Sequence, residues 1–275
     1  MALTAEQLER ARAAEQRQLR MHRLEQFDRR QLEELLGGDP AQALPWVRSA
    51  AEYGLPAAQL RLGRMLLQGA GTAPDAAQAL HWFARAAAQG DAGAMNMLGR
   101  CHENGWGVAA GLQTAASHYR ASALRGHDWG EYNFGNLLFD GRGVVRDHRR
   151  ALTWYLRAAH QGHTRAMNLA GRCLEEGWGC EPNPEVAALW YERSARGGYF
   201  RGQFNHAAML AQRGQAGEAA QWYLQAAATG DSPIRGAILR ALANATDPAL
   251  RTARDLVRGL IDPRMRSGAD QASPR

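Results

Sequence analysis

The side chains that could carry chemistry in this sequence are few, and their types favour binding over catalysis. All 33 basic residues are arginine, so the chain contains no lysine. A Walker-type phosphate loop, a Schiff-base enzyme and a Ser-x-x-Lys hydrolase each depend on a lysine, which excludes all three. Serine is sparse and no Gly-x-Ser-x-Gly nucleophile elbow occurs. We therefore expect a protein that is not an enzyme and needs no cofactor.

Cysteine and histidine are the remaining candidates for metal or redox chemistry. Cys101 and Cys173 lie 72 residues apart, and Cys180 follows Cys173 by seven residues. Cys101 beside His102 is one of the closest groupings of metal-ligating types, but a zinc site needs about four convergent ligands. A disulfide or a metal pair involving Cys180 is the alternative to three structural thiols. We expect structural thiols and no metal site.

Arginine and asparagine recur at regular positions and are the strongest candidates for a binding surface. The set comprises Arg64, Asn96, Arg100, Tyr132, Asn136, Asn168 and Arg172. Its members four residues apart share one face of a helix. Arginine holds a carboxylate through two parallel hydrogen bonds, and an asparagine amide can pair with a peptide backbone. The row predicts a groove for a protein or peptide with acidic groups. The alternative is an ordinary solvated face.

Two tryptophans form a second candidate surface. Trp106 and Trp178 each stand between the glycines of a Gly-x-Gly sequence, where the corresponding residues elsewhere in the chain are Ala70 and Arg142. Packing therefore does not require an aromatic ring at this position. An exposed contact edge is one interpretation, and local packing under the turn is the other.

A repeat of 36 residues positions all of these side chains. Marker glycines stand at Gly54, Gly90, Gly126, Gly162 and Gly198, and a last interval of 32 residues ends at Gly230. We call the five intervals repeats 1 to 5. Within each of the first four, a Gly-x-Gly sequence follows the marker by 15 residues. Because glycine readily ends a helix with a positive φ angle, each repeat is predicted to be helix, turn, helix, turn. Repeats of this length must stack to bury their apolar faces.

Two further rows are predicted to build the core between the helices. Mid-helix glycines occur at Gly63, Gly99, Gly135 and Gly171. Each costs about 1 kcal/mol relative to alanine, so close helix packing must compensate. An aromatic row comprises Trp82, Trp154, Trp190 and Trp222, with Tyr119 one place late in repeat 2. We expect this tryptophan row to lie in the core of the second helices.

These rows resemble the Sel1 (Sel-one-like) repeat family, relatives of the tetratricopeptide repeats. Repeat 3 matches the family pattern at Gly135, Gly141, Gly143, Val144, Asp147, Ala151, Trp154, Ala158, Ala159 and Gly162. The resemblance covers roughly residues 54–230. It implies an all-α fold, namely a right-handed α/α solenoid of helix-turn-helix repeats with helical caps at both ends. In tetratricopeptide relatives the first-helix face lines the concave groove. The implied function is a non-enzymatic adaptor or regulatory scaffold that binds a protein or peptide through that face.

The sequence outside the repeats predicts caps. We divide the chain into an N-terminal helical cap with a degenerate repeat (1–53), five repeats (54–230), a C-terminal helical cap (231–262) and a flexible tail (263–275). Thr4 to Gln7 fits a capping box that starts a long charged helix, which is predicted to run to about Leu36. Asp231-Ser232-Pro233 and Asp247-Pro248 each fit the start of a helix in the C-terminal cap.

Charge and hydropathy set the expected location and the rival function. No apolar segment follows Met1 as in a secretory signal, and no apolar run approaches the roughly 18 residues of a membrane span. Secreted family members cross-link successive repeats, and the matching positions here are Ala87 with Met95 and Ala159 with Met167. We expect a cytoplasmic protein without a membrane partner. The net charge of +6 allows a nucleic-acid-binding alternative, but the arginines are interleaved with Glu and Asp, so nucleic acid is not the expected partner.

Overall fold

The computed structural model describes residues 4–261, apart from the side chains of Leu8, Arg29, Leu32 and Glu33. In that range the regular elements are all α-helices. They are α1 (Ala5–Gln26), α2 (Arg29–Gly37), α3 (Pro40–Tyr53), α4 (Pro56–Gln68), α5 (Ala76–Ala88), α6 (Ala92–Asn104), α7 (Leu112–Leu124), α8 (Asp128–Asp140), α9 (His148–His160), α10 (Thr164–Glu176), α11 (Pro184–Arg196), α12 (Phe200–Gln212), α13 (Ala216–Thr229), α14 (Ser232–Ala241) and α15 (Pro248–Ile261). None of these helices is long and apolar enough to cross a bilayer. The predicted tail, 263–275, and Asp262 lie outside the described residues.

The helices form two compact units. The N-terminal unit runs to Leu137 and includes Gly141–Val145, and the C-terminal unit comprises Leu138–Asp140 and continues from Arg146. In the first unit α3, α4, α5, α6 and α7 pack successively, each on the next helix in the chain. In the second unit α9 to α13 pack in the same manner, and α13 is covered by α14 and α15. Such packing between chain neighbours defines an α/α solenoid, so the predicted fold class is confirmed.

The Gly-x-Gly turn ends the first helix of repeats 1 to 4, as predicted, and it also brings repeats together. In repeat 2, Gly105 and Gly107 have φ angles of 73° and 70°, the left-handed region that favours glycine. A Cβ atom on Gly107 would lie 2.3 Å from the carbonyl oxygen of Ala76, at the start of the second helix of repeat 1. The second glycine is therefore required both by its φ angle and by the close approach of the preceding repeat.

Mid-helix glycines face an aromatic ring from the second helix of the same repeat. A Cβ atom on Gly99 would lie 2.5 Å from the ring of Tyr119, and one on Gly171 would lie 2.8 Å from the ring of Tyr191. The absence of a side chain lets the ring pack flat against the first helix. This contact confirms the predicted close approach and explains why glycine is tolerated inside a helix.

The most deeply buried aromatic row stands one residue after the predicted tryptophans and includes Tyr119, which was predicted. Its members are Phe83, Tyr119, Tyr155, Tyr191 and Tyr223, and each is at most 2% exposed. In the predicted row Trp82 and Trp190 are buried, whereas Trp154 and Trp222 are half-buried. The expectation that every tryptophan of the row lies in the core is therefore wrong for Trp154 and Trp222. The helix periodicity places the residue next to each tryptophan opposite the mid-helix position, which is glycine in repeats 1 to 4.

The N-terminal segment begins as predicted but is not one long helix. Thr4 caps α1 through a capping box with Gln7. The helix ends at Gln26, because Phe27 adopts an extended conformation with φ −72° and ψ 131°. Asp28 then caps α2 by accepting a hydrogen bond from the backbone N–H of Gln31. The ring of Phe27 lies 5.5 Å from that of Trp46, so the break turns an apolar side chain onto α3.

Repeat 5 departs from the others, as its sequence predicts. Three residues, Arg213 to Gln215, connect α12 to α13. Within that connection only Gly214 has a positive φ angle, of 77°, so one left-handed residue replaces the pair of the other repeats. Beyond it, α14 begins after Asp231, whose carboxylate accepts from the backbone N–H of Ile234.

Candidate functional site

The predicted arginine and asparagine row lies on the first helices of repeats 1 to 4, which are α4, α6, α8 and α10. Arg64, Arg100 and Arg172 are exposed to solvent. None of the three forms an ion pair with an acidic residue within residues 4–261. The three guanidinium groups are therefore available to an external anion.

The asparagines of the row are placed differently from the arginines. Asn96 and Asn168 are 6% and 3% exposed, respectively. The side-chain oxygen of Asn96 accepts a hydrogen bond of 2.9 Å from the amide of Asn133, and that of Asn168 accepts one of 2.8 Å from Asn205. Each pair joins first helices two elements apart in the chain. This placement favours a structural role for the two asparagines over the predicted pairing with a peptide backbone.

Repeat 3 contributes a different part of the row. Tyr132 and Asn136 are half-buried on α8, and the ring of Tyr132 meets that of Trp129 edge to face at 5.8 Å. Asn136 stands at the position of Arg100 and Arg172, so repeat 3 has no guanidinium group at this position. The cationic character of the row is thus restricted to repeats 1, 2 and 4.

The two predicted surfaces are one surface in repeats 2 and 4. The guanidinium carbon of Arg100 lies 5.2 Å from the ring centre of Trp106, and the same distance separates Arg172 from Trp178. Both tryptophans are half-buried, and the ring of Trp178 also meets Phe139 at 5.1 Å. The indole rings therefore pack beneath the turn and support an exposed guanidinium at the same time, which joins the two interpretations that the sequence left open.

An arginine held over a tryptophan is suited to bind an anion. Stacking occupies one face of the guanidinium, while its N–H groups point outward in the plane and remain donors. A carboxylate can accept two parallel hydrogen bonds from that edge. Because the ring already restricts the side chain, less conformational entropy is lost when the anion binds.

A tyrosine and a glutamate that the sequence analysis missed support each stack. The hydroxyl of Tyr119 donates a 2.6 Å hydrogen bond to Glu103, and that of Tyr191 donates an equal one to Glu175. Burial, followed by the hydrogen bond to the carboxylate, raises the pKa of both tyrosines well above the ordinary value. They therefore stay protonated and serve as donors.

A sequence signal for these residues exists in the comparison of repeats two apart. Residues 94–107 and 166–179 share the pattern Ala-Met-Asn-x-x-Gly-Arg-Cys-x-Glu-x-Gly-Trp-Gly. The glutamate of that pattern accepts from the buried tyrosine. In repeat 2 its second oxygen also pairs at 3.0 Å with Arg142, the middle residue of the next Gly-x-Gly turn.

All three cysteines are free thiols, and two of them are buried. Cys101 and Cys173 are buried, and burial raises the pKa of Cys101 to about 11 and that of Cys173 to about 12. The thiol of Cys180 lies 3.7 Å from the carbonyl oxygen of Cys173. Among the residues that the structure describes, no group of three or more His, Cys, Asp or Glu side chains could hold a metal ion.

A second set of arginine–tryptophan stacks lies on the second helices. Arg85 covers Trp82 at 4.9 Å, and Arg193 covers Trp190 at 5.0 Å. Each pair is three residues apart on one helix, so ordinary helix geometry accounts for it. These pairs provide a matched control for the first-helix stacks.

Each unit is built from helical repeats of about 36 residues, and repeats 2 and 4 each have an arginine over the tryptophan of their Gly-x-Gly turn. The model of the Sel1 repeat matches residues 56–91, 92–127, 130–163, 164–199 and 202–231. The chain therefore belongs to the Sel1 repeat family, as its resemblance predicted. Members of this class are typically scaffolds for protein interactions. A search of curated protein sequences finds none that matches the chain.

One solved structure agrees with the family assignment over most of both chains. A Sel1 repeat protein from Oxalobacter formigenes is 27% identical, covers 82% of this chain and 94% of its own, and superposes with a TM-score of 0.72. The protective antigen c5321 of uropathogenic Escherichia coli is 26% identical over 82% of this chain and 58% of its own, with a TM-score of 0.45. Immunity protein Pa5087 from Pseudomonas aeruginosa is 16% identical over 78% and 83%, with a TM-score of 0.48. The structural comparison rests on the Sel1 repeat protein from Oxalobacter formigenes.

Proposed function

We propose that this protein is a non-enzymatic adaptor or regulatory scaffold, which binds acidic groups of a partner protein at the arginine–tryptophan surface of repeat 2 and, separately, at that of repeat 4. The observation that carries the proposal is the recurrence of one arrangement. Arg100 on Trp106 and Arg172 on Trp178 have the same 5.2 Å separation, and both guanidinium groups are exposed.

The composition of the surface supports a protein partner with carboxylates. A guanidinium edge matches the geometry of a carboxylate, and the neighbouring indole supplies an apolar contact for a side chain of the same segment. In tetratricopeptide relatives the corresponding face is concave, and we place the groove there. We place the protein in the cytoplasm, where buried free thiols such as Cys101 and Cys173 persist in the reduced form.

The experiment compares two double variants that remove the same charge. The double variant Arg100→Ala/Arg172→Ala loses the first-helix stacks, and Arg85→Ala/Arg193→Ala loses two second-helix stacks. A partner is first identified by capture from the native host with the wild-type protein, and its Kd is then measured with purified components. We expect the first variant to bind about 100-fold more weakly, since two charge-assisted hydrogen-bond sites are lost. The second variant should bind like the wild type.

Two results would contradict the proposed binding surface. Equal binding by both double variants would place the partner elsewhere on the protein. Capture of RNA with a steep dependence on salt concentration would favour the nucleic-acid alternative, because phosphate contacts release counterions.

A further inference from the structure

A large cleft in the N-terminal unit is separate from the surfaces of repeats 2 and 4. Helices α1, α2, α3 and α4 enclose about 910 Å³. This volume is near the upper end of ligand sites, which measure about 300–1,000 Å³. The walls are mainly apolar and include Met21, Leu24, Trp46, Leu55 and Leu60. A cleft of this size and composition would bury several bulky apolar side chains of a ligand.

One charged side chain in the wall has an unsatisfied donor. Arg61 donates from a terminal nitrogen to the backbone carbonyl of Leu36. Its Nε atom is buried and has no hydrogen-bond partner in the structure. Because this Nε atom has no surface open to solvent, a ligand in the cleft would meet other atoms of the Arg61 guanidinium group. Arg64, three residues further along α4, also lines the cleft and is exposed.

The acidic residues of the cleft do not neutralise this pair of arginines. Asp91 caps α6, where its carboxylate accepts a 2.7 Å hydrogen bond from the backbone N–H of Ala94. Glu25 faces His22 of its own helix at 3.9 Å. Neither acid forms an ion pair with Arg61 or Arg64 among the described residues. The cleft therefore combines apolar walls with two guanidinium groups that neither of these acids neutralises.

We propose that this cleft binds a short peptide segment in which bulky apolar residues precede a carboxylate, the chemistry of the free C-terminus of a protein. The apolar side chains would occupy the space between α1 and α4, and the carboxylate would pair with the guanidinium groups of Arg64 and Arg61. The volume fits several residues rather than a single side chain. This inference goes beyond the proposed function, since it requires neither Arg100 nor Arg172.

The test uses a pool of hexapeptides whose last two residues are leucine, phenylalanine or tryptophan. The pool is synthesised once with a free C-terminal carboxylate and once as the C-terminal amide. Retention on the immobilised full chain is quantified by mass spectrometry. We expect the carboxylate pool to be retained about 10-fold more than the amide pool, because the amide lacks the charged acceptor.

Two variants assign the site. Arg61→Met keeps an apolar stem and removes the donor, so the preference for the carboxylate should disappear. Ala57→Trp fills the cleft from an exposed position of α4 and should reduce retention of both pools. Arg120→Met removes an exposed arginine of α7 and is the charge-matched control, which should behave like the wild type. Thermal melting of each variant verifies that it is folded.

Two results would overturn the inference. The first is equal retention of the carboxylate and amide pools by the wild-type chain. The second is undiminished retention by folded Ala57→Trp. The Arg100→Ala/Arg172→Ala variant is expected to retain the carboxylate pool normally, so a failure of this inference is distinguishable from a failure of the proposed function.

Discussion

Repeats 2 and 4 share a chemistry that repeats 1, 3 and 5 lack. Both have a tryptophan inside the Gly-x-Gly turn that an arginine of the first helix covers, and a glutamate two residues before that turn that accepts from a buried tyrosine. Both also have a serine whose hydroxyl donates to the first helix of the same repeat, from Ser122 to Ala92 and from Ser194 to Thr164. The structural period is 36 residues, whereas the chemical period is 72.

The sixth residue of each repeat, counted from the marker glycine, alternates in the same way. Repeats 2 and 4 have methionine there, whereas the odd-numbered repeats have Gln59, Glu131 and Gln203. Gln59 donates to the carbonyl oxygen of Ala51 in the preceding helix, and Gln203 donates to that of Ala195. Glycines and small residues that set the spacing occur in nearly every repeat. The fold therefore constrains the packing positions, while exposed and polar positions are free to specialise in alternate repeats.

The largest expected effect tests what the odd and even repeats have in common. Tyr191→Ala in repeat 4 and Tyr155→Ala in repeat 3 remove rings that are 1% exposed, and each should cost about 3–5 kcal/mol of unfolding free energy. Trp154→Ala, at the half-buried neighbouring position, should cost roughly 1–2 kcal/mol. Urea titration measures all three. A larger loss of unfolding free energy for Trp154→Ala than for Tyr155→Ala would show that the tryptophan row forms the core.

The tyrosine–glutamate bond should distinguish the even repeats from repeat 5. Tyr119→Phe and Tyr191→Phe each remove a hydrogen bond to a carboxylate and should cost about 1.5–3 kcal/mol. The control is Tyr223→Phe, since the Tyr223 hydroxyl donates to no protein group within residues 4–261. This substitution is expected to cost less than about 0.5 kcal/mol of unfolding free energy. Equal losses for the three variants by urea titration would show that the bond contributes no specific stability.

A smaller effect concerns pH and the departure of repeat 5 from the other repeats. His206 is 8% exposed at a position where repeats 1 and 2 have Leu62 and Leu98. Burial lowers its pKa, and the nearby Glu192 only partly opposes this shift. The unfolded chain therefore binds the proton first as pH falls through about 6.5, so the free energy of unfolding decreases toward acid.

The variant His206→Leu removes that contribution. Its stability should fall less between pH 7.5 and pH 5.5 than that of the wild type, when both are measured by urea titration. The control is His81→Leu, which removes an exposed histidine instead of a buried one. An unaltered pH dependence in His206→Leu would show that this histidine is not the group responsible.

Much of the fold could be predicted because close contacts between helices require glycine at fixed positions of the repeat. The positions of Gly99 and Gly107 each require a missing side chain, so the period is visible without a structure. The register of the aromatic row was not predictable in the same way. Trp154 and Tyr155 are adjacent and both apolar, and only the contact across to the first helix decides which is core. The break at Phe27 had a usable signal, since Asp28 and Gln31 form the same capping box as Thr4 and Gln7.

The residues of the candidate site could be predicted from the sequence, but the contacts between them could not. Arg100 and Trp106 are six residues apart, beyond the spacing at which side chains meet along one helix. The left-handed Gly105 reverses the chain between them and brings the ring under the guanidinium. A turn of known geometry is needed to predict this contact. The cleft at Arg61 could not be predicted at all, because it depends on how α1 and α2 pack on α3 and α4.

The most direct test of the central claim is the Kd of the purified partner for the single variants Arg100→Ala and Arg172→Ala, measured beside the double variant. Because the two surfaces have the same geometry, each single variant should weaken binding by a similar factor of about 10, and the double variant should multiply the two losses. If one arginine accounts for the whole loss while the other has no effect, the two repeats are not equivalent binding sites and the account is contradicted.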